Sequence, residues 1–145
     1  MKEWDQYFLK LARVVSEKSK DPSTKVGCVI VDEDRRIVST GYNGFPKGFP
    51  DNYNSITRGF KLLYTIHAEN NALLFAKQDV RGCTSYQTHP PCGHCLSQLK
   101  QSGITEIVFP HIDDVSFRER WGIEDVLDMA YKLGIVVREI EIKEN

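Results

Sequence analysis

The sequence predicts a layered α/β fold. Two observations carry that expectation. Short runs rich in β-branched and other apolar residues recur at 25–31, 36–43, 83–88, 104–110 and 135–142, and segments with helical spacing of apolar residues lie between most of them. Strands that alternate with helices imply a sheet with some parallel pairs, because parallel neighbours need a crossover connection.

Taken in order, Trp4, Phe8, Leu11 and Val15 recur at three- and four-residue steps and predict an amphipathic first helix. It should end before "DPST", since Pro22 biases Asp21 away from helical geometry. "KVGCVIV" at 25–31 is an almost unbroken apolar run, which suits a central strand buried on both faces. "DEDR" turns the chain, and "RIVSTGYN" at 36–43 reads as the antiparallel neighbour. From Gly44 to about Ile66 the periodicity is lost, with glycine or proline at 44, 46, 48, 50 and 59. A loop of that length suits a lid or binding segment, or a surface insertion with one helical turn near "TRGFKLL".

"HAENNALLFAKQ" at 67–78 predicts a helix with Ala72, Leu73, Phe75 and Ala76 on its apolar face. "CTSYQT" at 83–88 predicts a strand, and "PCGHCLSQLKQSG" a helix with Pro91 at its first position and Gly103 closing it. "ITEIVFP" reads as a strand, "FRERWGIEDVLDMAYKLG" contains a helix, and "IVVREIEI" is a last alternating strand. With no repeat, low-complexity tract or linker, residues 1–145 read as one domain.

The bulk composition excludes some classes of function. A net charge of −1 gives no global basic field to gather nucleic acid, so a phosphate-bearing ligand must be met by a few local cations. "MKEWDQYFLK" lacks the apolar run of a signal peptide, and nothing approaches a membrane span. Four cysteines, two of them in a C-x-x-C, fit a reduced compartment better than a secreted disulfide framework. The expected location is the cytoplasm.

The cysteine pair raises the chemistry. With Pro91 opening a helix, Cys92 falls in its first turn and Cys95 one turn on, so both sulfurs can reach one ion. The helix N-terminus favours their thiolates. Alone, C-x-x-C also fits a redox pair, half of a structural zinc site, or two unconnected thiols. Cys28 and Cys83 lie in apolar strands and read as core. Among the histidines, His94 points away from Cys92, His89 is close enough to be a candidate, and His111 reads as a surface residue. His67 stands out because it comes in "HAE" at a helix start, where capping is the commoner role. Glu69 changes that balance. It cannot comfortably share a metal with His67, yet it sits one short step from that metal's open position. Three protein ligands and one place for water make a catalytic zinc layout, and a carboxylate beside that water suits a general acid/base.

H-x-E followed by P-C-x-x-C is the signature of zinc nucleobase deaminases. On these residues the chain resembles the cytidine deaminase superfamily, and within it the deoxycytidylate (dCMP) deaminases. "DPSTKVG" and "GYNGFP" resemble that subgroup, and the likeness runs over roughly residues 4–140, loosest in 44–66 and after Phe109. The resemblance implies a three-layer α-β-α fold with a five-stranded mixed sheet and zinc at two helix N-termini. It puts His67, Cys92 and Cys95 in the zinc-ligand places and Glu69 in the proton-shuttle place. It assigns the Ala68 N–H to the pyrimidine O2, a carbonyl of Pro90 or Pro91 to the exocyclic amine, and Asn43 to the deoxyribose. The implied reaction converts dCMP to dUMP and ammonia, a supply for thymidylate synthesis.

For the 5′-phosphate, Arg118 and Arg120, beside Trp121 in "SFRERWG", are the favoured cations, against a reading of that stretch as a solvated charged face. Lys25, Lys47, Arg58 and Lys61 are the other cations near the expected pocket. The family also implies a homohexamer with dCTP as activator and dTTP as inhibitor, the triphosphate carrying Mg2+, with effector contacts at Asn43, Gly44 and Lys47. Two rivals remain at this level: a deaminase of the same fold acting on a free base, nucleoside or tRNA, and a non-catalytic zinc-stabilised binding module.

Overall fold

The computed structural model describes residues 2–50 and 56–143. Its elements are α1 (Lys2–Ser16), β1 (Gly27–Val31), β2 (Ile37–Tyr42), α2 (Arg58–Tyr64), α3 (Ala68–Phe75), β3 (Thr84–Gln87), α4 (Gly93–Gln101), β4 (Glu106–Pro110), α5 (Val115–Arg120), α6 (Ile123–Leu133) and β5 (Val136–Ile140). The strands form one five-stranded sheet in the order β2-β1-β3-β4-β5. β1 pairs antiparallel with β2 and β3, and the β3–β4 and β4–β5 pairs are parallel, so the sheet is mixed as expected. No helix among the described residues is long and apolar enough to cross a membrane.

The side-chain alternation of β1 divides the core in two. Val29 and Val31 face α1, where Phe8, Leu9 and Ala12 pack with Tyr86 and Val108. Cys28 and Ile30 face the other way, toward Ala68 and Ala72 of α3, Leu96 and Leu99 of α4, and Val126 and Ala130 of α6. That arrangement is the three-layer α-β-α fold. It also explains why "KVGCVIV" is apolar at nearly every position: β1 is buried along its whole length. Each fully buried Leu, Ile or Phe here contributes about 1.5–3 kcal/mol.

Two glycines set how closely helices lie on the sheet. A Cβ on Gly27 would overlap the Ala12 carbonyl oxygen of α1, and one on Gly41 would overlap Ala68 O and Ala72 N of α3. α3 therefore rests directly on β2, which fixes the position of its N-terminus.

Several expectations need correction. The inward face of α1 is Asp5, Phe8, Leu9, Ala12 and Ser16, with Trp4 40% exposed and Leu11 and Val15 only half-buried. A buried acid shifted the face: Asp5 accepts from Tyr86 Oη at 2.8 Å and from Arg138 Nη1 at 2.7 Å, so a polar residue points inward. α3 buries Ala68, Glu69 and Ala72, while Leu74 and Phe75 are exposed. The "TRGFKLL" stretch makes a seven-residue helix, not one turn, and buries none of its side chains. A Gly44–Ile66 bridge closes the base of this segment, and residues 51–55 of the expected loop lie outside the described residues. The helix expected within 117–134 is two, separated at Gly122, whose φ of 60° lies in the left-handed region that glycine tolerates.

Candidate active site

The site is built from two helix N-termini that meet beside the sheet. His67 is the N-cap of α3, in extended backbone, and its side chain makes no capping hydrogen bond. Its ring turns instead toward the cysteines, with Nδ1 3.2 Å from Cys95 Sγ and 3.5 Å from Cys92 Sγ. Cys92 is the N-cap of α4, one step earlier than the first-turn place expected for it. A thiolate can cap a helix as a carboxylate does, and Cys92 Sγ accepts from the Cys95 N–H at 3.4 Å. The three ligand atoms all lie within 4.8 Å of one another.

These residues fit zinc. Ligand bonds of ~2.0–2.3 Å in a tetrahedron place nitrogen and sulfur donors about 3.5 Å apart, close to the separations seen here. The Cys92 thiol is also prepared for a cation. A hydrogen bond from Cys95 holds the Cys92 thiol down to about 3, against the effect of burial and with help from His67. Cys95 is pushed up by sharing its proton with Cys92 and by its burial. Two sulfurs and an imidazole held around a shared proton form a donor set that zinc would bind by displacing that proton.

Glu69, in the first turn of α3, is 3% exposed and accepts from Gln87 Nε2 at 3.0 Å. Burial pushes its carboxyl above the ordinary range, against the pull of its hydrogen bonds and of the charge on His67. A raised carboxyl beside a metal site can take a proton and give it back near neutral pH. Glu69, His67 and Cys92 share a cavity of about 450 Å³, within the range of small-ligand sites.

Other expected contacts divide. Ala68, Pro90, Trp121 and Asn43 line this cavity, and Pro91 does not. The Ala68 N–H belongs to the first turn of α3, where no intrahelical carbonyl reaches it. Trp121 stacks on His89 at 5.0 Å and on Phe117 at 5.7 Å, which makes a flat wall. Asn43 is engaged elsewhere as well, since its Oδ1 accepts from the Val26 N–H and its Nδ2 donates to Thr24 O, both at 2.9 Å. Its side chain therefore clamps the 24–26 segment, and a sugar contact would have to share that amide.

Arg118 and Arg120 do not line this cavity. Arg118 grips both carboxylate oxygens of Glu139, at 2.7 and 3.1 Å, and donates to Glu124 at 2.8 Å. Arg120 lies over the Phe117 ring. The acids in "FRERWGIED" and β5 claim the guanidinium that the sequence pattern assigned to phosphate. His111 joins the same cluster, between Asp113 and Glu139, and so is not an idle surface histidine. The cations that do line the cavity are Arg58 and Lys61. Lys61 pairs with buried Asp21 at 2.7 Å, and Arg58 has no ion-pair partner among the described residues. Gly44 and Lys47 line a neighbouring cavity of about 800 Å³ together with Asn43 and Lys20. Lys25 lies in a third groove beside α1. His89 is removed as a ligand candidate: its Nδ1 meets Thr88 Oγ1 at 2.7 Å and its ring packs on Trp121. Sequence reasoning missed Gln87 and Asp21. A glutamine inside a short strand is the signal that could have found the first, since a fully buried amide needs partners.

Comparison with known proteins agrees with this geometry. Residues 2–111 match the family model for the cytidine and deoxycytidylate deaminase zinc-binding region. An uncharacterized deaminase of Aliivibrio fischeri is 43% identical over 92% of this chain and 91% of its own. A probable deoxycytidylate deaminase of Caenorhabditis elegans is 39% identical over 96% of this chain and 74% of its own. The crystal structure of dCMP deaminase from cyanophage S-TIM5 in complex with dCMP and dUMP is 26% identical, covers 97% of this chain and 98% of its own, and superposes with a TM-score of 0.77. Ligand geometry, fold and sequence point the same way, and the chain belongs to the cytidine and deoxycytidylate deaminase family as a hydrolytic deaminase.

Proposed function

We propose that residues 1–145 act as one zinc-dependent domain that deaminates dCMP to dUMP and ammonia. The observation that carries this reading is the convergence of His67, Cys92 and Cys95 with buried Glu69 in a cavity that also presents Arg58 and Lys61. The deoxycytidylate deaminases among the chain's relatives and the phage enzyme crystallised with dCMP and dUMP support the choice of substrate.

His67, Cys92 and Cys95 would hold the zinc. Bound zinc supplies a water acidic enough to lose its proton near neutral pH. Glu69 accepts that proton and delivers it to N3 of the pyrimidine, which makes C4 electrophilic. Once the water's oxygen is joined to C4, Glu69 would carry the proton left on that oxygen to the amine, so that the C4–N4 bond breaks, C4 keeps the oxygen as a carbonyl and ammonia leaves. The Ala68 N–H donates to O2, and the Pro90 carbonyl accepts from the exocyclic amine. Trp121 offers its face to the ring. Arg58 is the cation placed for the 5′-phosphate, and Lys61 stands beside it but is already held by Asp21.

Regulation and assembly belong to the same reading. The cavity at Asn43, Gly44 and Lys47 is the place for a triphosphate effector, dCTP or dTTP, with its Mg2+. Leu62, Leu63, Leu74 and Phe75 are exposed along α2 and α3, and covering them supports a homo-oligomer, with a hexamer as the family form. The proposed location is the cytoplasm.

Glu69→Gln tests the mechanism. The variant should keep its zinc and lose at least about 100-fold in kcat on dCMP, the scale of a lost general acid/base. Turnover close to that of the native enzyme, with zinc in place, would refute it.

A further inference from the structure

Behind the proposed acid/base lies a buried polar chain that the metal site does not explain. Gln87 and Ser85 of β3 and Cys28 of β1 are each 0% exposed. They share the sheet face toward α3, because Cys28 stands opposite Gln87 in the antiparallel pair and Ser85 is two residues away. Gln87 Nε2 donates to Glu69 Oε2 at 3.0 Å and to the His89 carbonyl at 3.1 Å. Gln87 Oε1 accepts from Ser85 Oγ at 2.8 Å, and Ser85 Oγ lies 3.2 Å from Cys28 Sγ.

These contacts allow one polarity. The Ser85 hydroxyl has a single hydrogen, which goes to Gln87 Oε1, so the Cys28 thiol is the donor to Ser85. Burial pushes that thiol up, which keeps it protonated and able to donate. Turning the Gln87 amide over would aim its oxygen at a carboxylate and a carbonyl, acceptor against acceptor. The chain therefore runs from thiol to hydroxyl to amide and ends with an N–H aimed at Glu69.

We propose that Gln87 is a positioning residue for deamination, holding the Glu69 carboxylate and the backbone of the 89–91 segment in one register. An amide N–H is not a proton carrier, so it can orient Oε2 without competing for the proton that Glu69 moves. Its second N–H fixes His89 O, directly before Pro90, whose carbonyl is assigned to the substrate amine. One side chain thus ties the acid/base to the acceptor of the leaving group, and Ser85 sets its orientation. The inference rests on the reading that Glu69 carries the proton.

Gln87→Leu, similar in volume, tests it in the zinc-loaded enzyme with dCMP as substrate. We expect kcat to fall about 10–100-fold, as when the hydrogen-bond partner of a site residue is lost, while KM and zinc per chain stay unchanged. Ser85→Ala, which removes the group that sets the amide's polarity, should lower kcat less and leave KM unmoved. A folded Gln87→Leu with native kcat, or a loss confined to KM or to zinc content, overturns the proposal. If Gln87→Leu fails to fold, Ser85→Ala decides, and native kcat there overturns it as well. An inactive native enzyme would overturn the deamination reading and this proposal together, whereas active native enzyme with unaffected variants overturns this proposal alone.

Discussion

Arg58 and Arg118 show how far the identity of a residue determines its work. Both are cations in or beside segments where a phosphate contact was expected. Arg118 is consumed by Glu139 and Glu124, while Arg58 faces the cavity that holds Glu69. Arg58→Ala should therefore raise KM for dCMP by about 10-fold or more, the worth of a hydrogen bond to a charged group, and leave turnover of deoxycytidine nearly unchanged. Equal effects on the two substrates would place the phosphate elsewhere. The zinc-binding and acid/base candidates were legible in the sequence because their chemistry requires rare residue types at fixed spacings. The favoured cations, Arg118 and Arg120, were misjudged, because nothing in "SFRERWG" reveals that a glutamate on the last strand will close on Arg118. Gln87 was missed for a related reason: Ser85 and His89 are its chain neighbours, but Glu69 comes from α3, and only the fold brings it to the amide.

At the scale of elements, the strands and the antiparallel pairing of β1 with β2 were readable from apolar runs and turns, and helix faces were read less well. α1 turned its predicted face because Asp5 is buried against Arg138 and Tyr86, and hydrophobic spacing gives no weight to an acid that finds partners inside. Burial alone would raise the Asp5 carboxyl, but hydrogen bonds from Arg138 and Tyr86 outweigh it and hold the group below its usual value of 3.8. A folded-state value below the unfolded one means that this stabilisation is present above pH ~4 and is lost as pH falls through the folded value. Asp5→Asn should cost about 3 kcal/mol at pH 7 and flatten the loss of stability that denaturant titrations record as pH falls below ~4. An acid limb unchanged from the native protein would show that another carboxylate carries it. The contact between α3 and β2 gives a second test. Gly41→Ala forces α3 away from the sheet, so it should cost about 1–3 kcal/mol and weaken zinc binding by moving His67, as thermal melts and metal titration would report. A variant with native stability and zinc affinity would mean that α3 can move without disturbing the site.

Taken as a whole, the molecule uses a mixed sheet to bring two helix N-termini to one point, with buried Glu69 beside them and Arg58 and Lys61 lining the same cavity. Leu62 of α2 lines that cavity and Asn43 lines both it and the one at Gly44 and Lys47, so the proposed assembly and effector binding would both act near the proposed substrate site. The measurement that tests the central claim most directly is ammonia release by zinc-loaded protein from dCMP, CMP, deoxycytidine and cytosine at matched concentrations. The expected result is that dCMP is turned over with the highest kcat/KM, at least about 10-fold above deoxycytidine, the margin that a phosphate contact provides. Equal use of dCMP and deoxycytidine, or activity on cytosine alone, would contradict it.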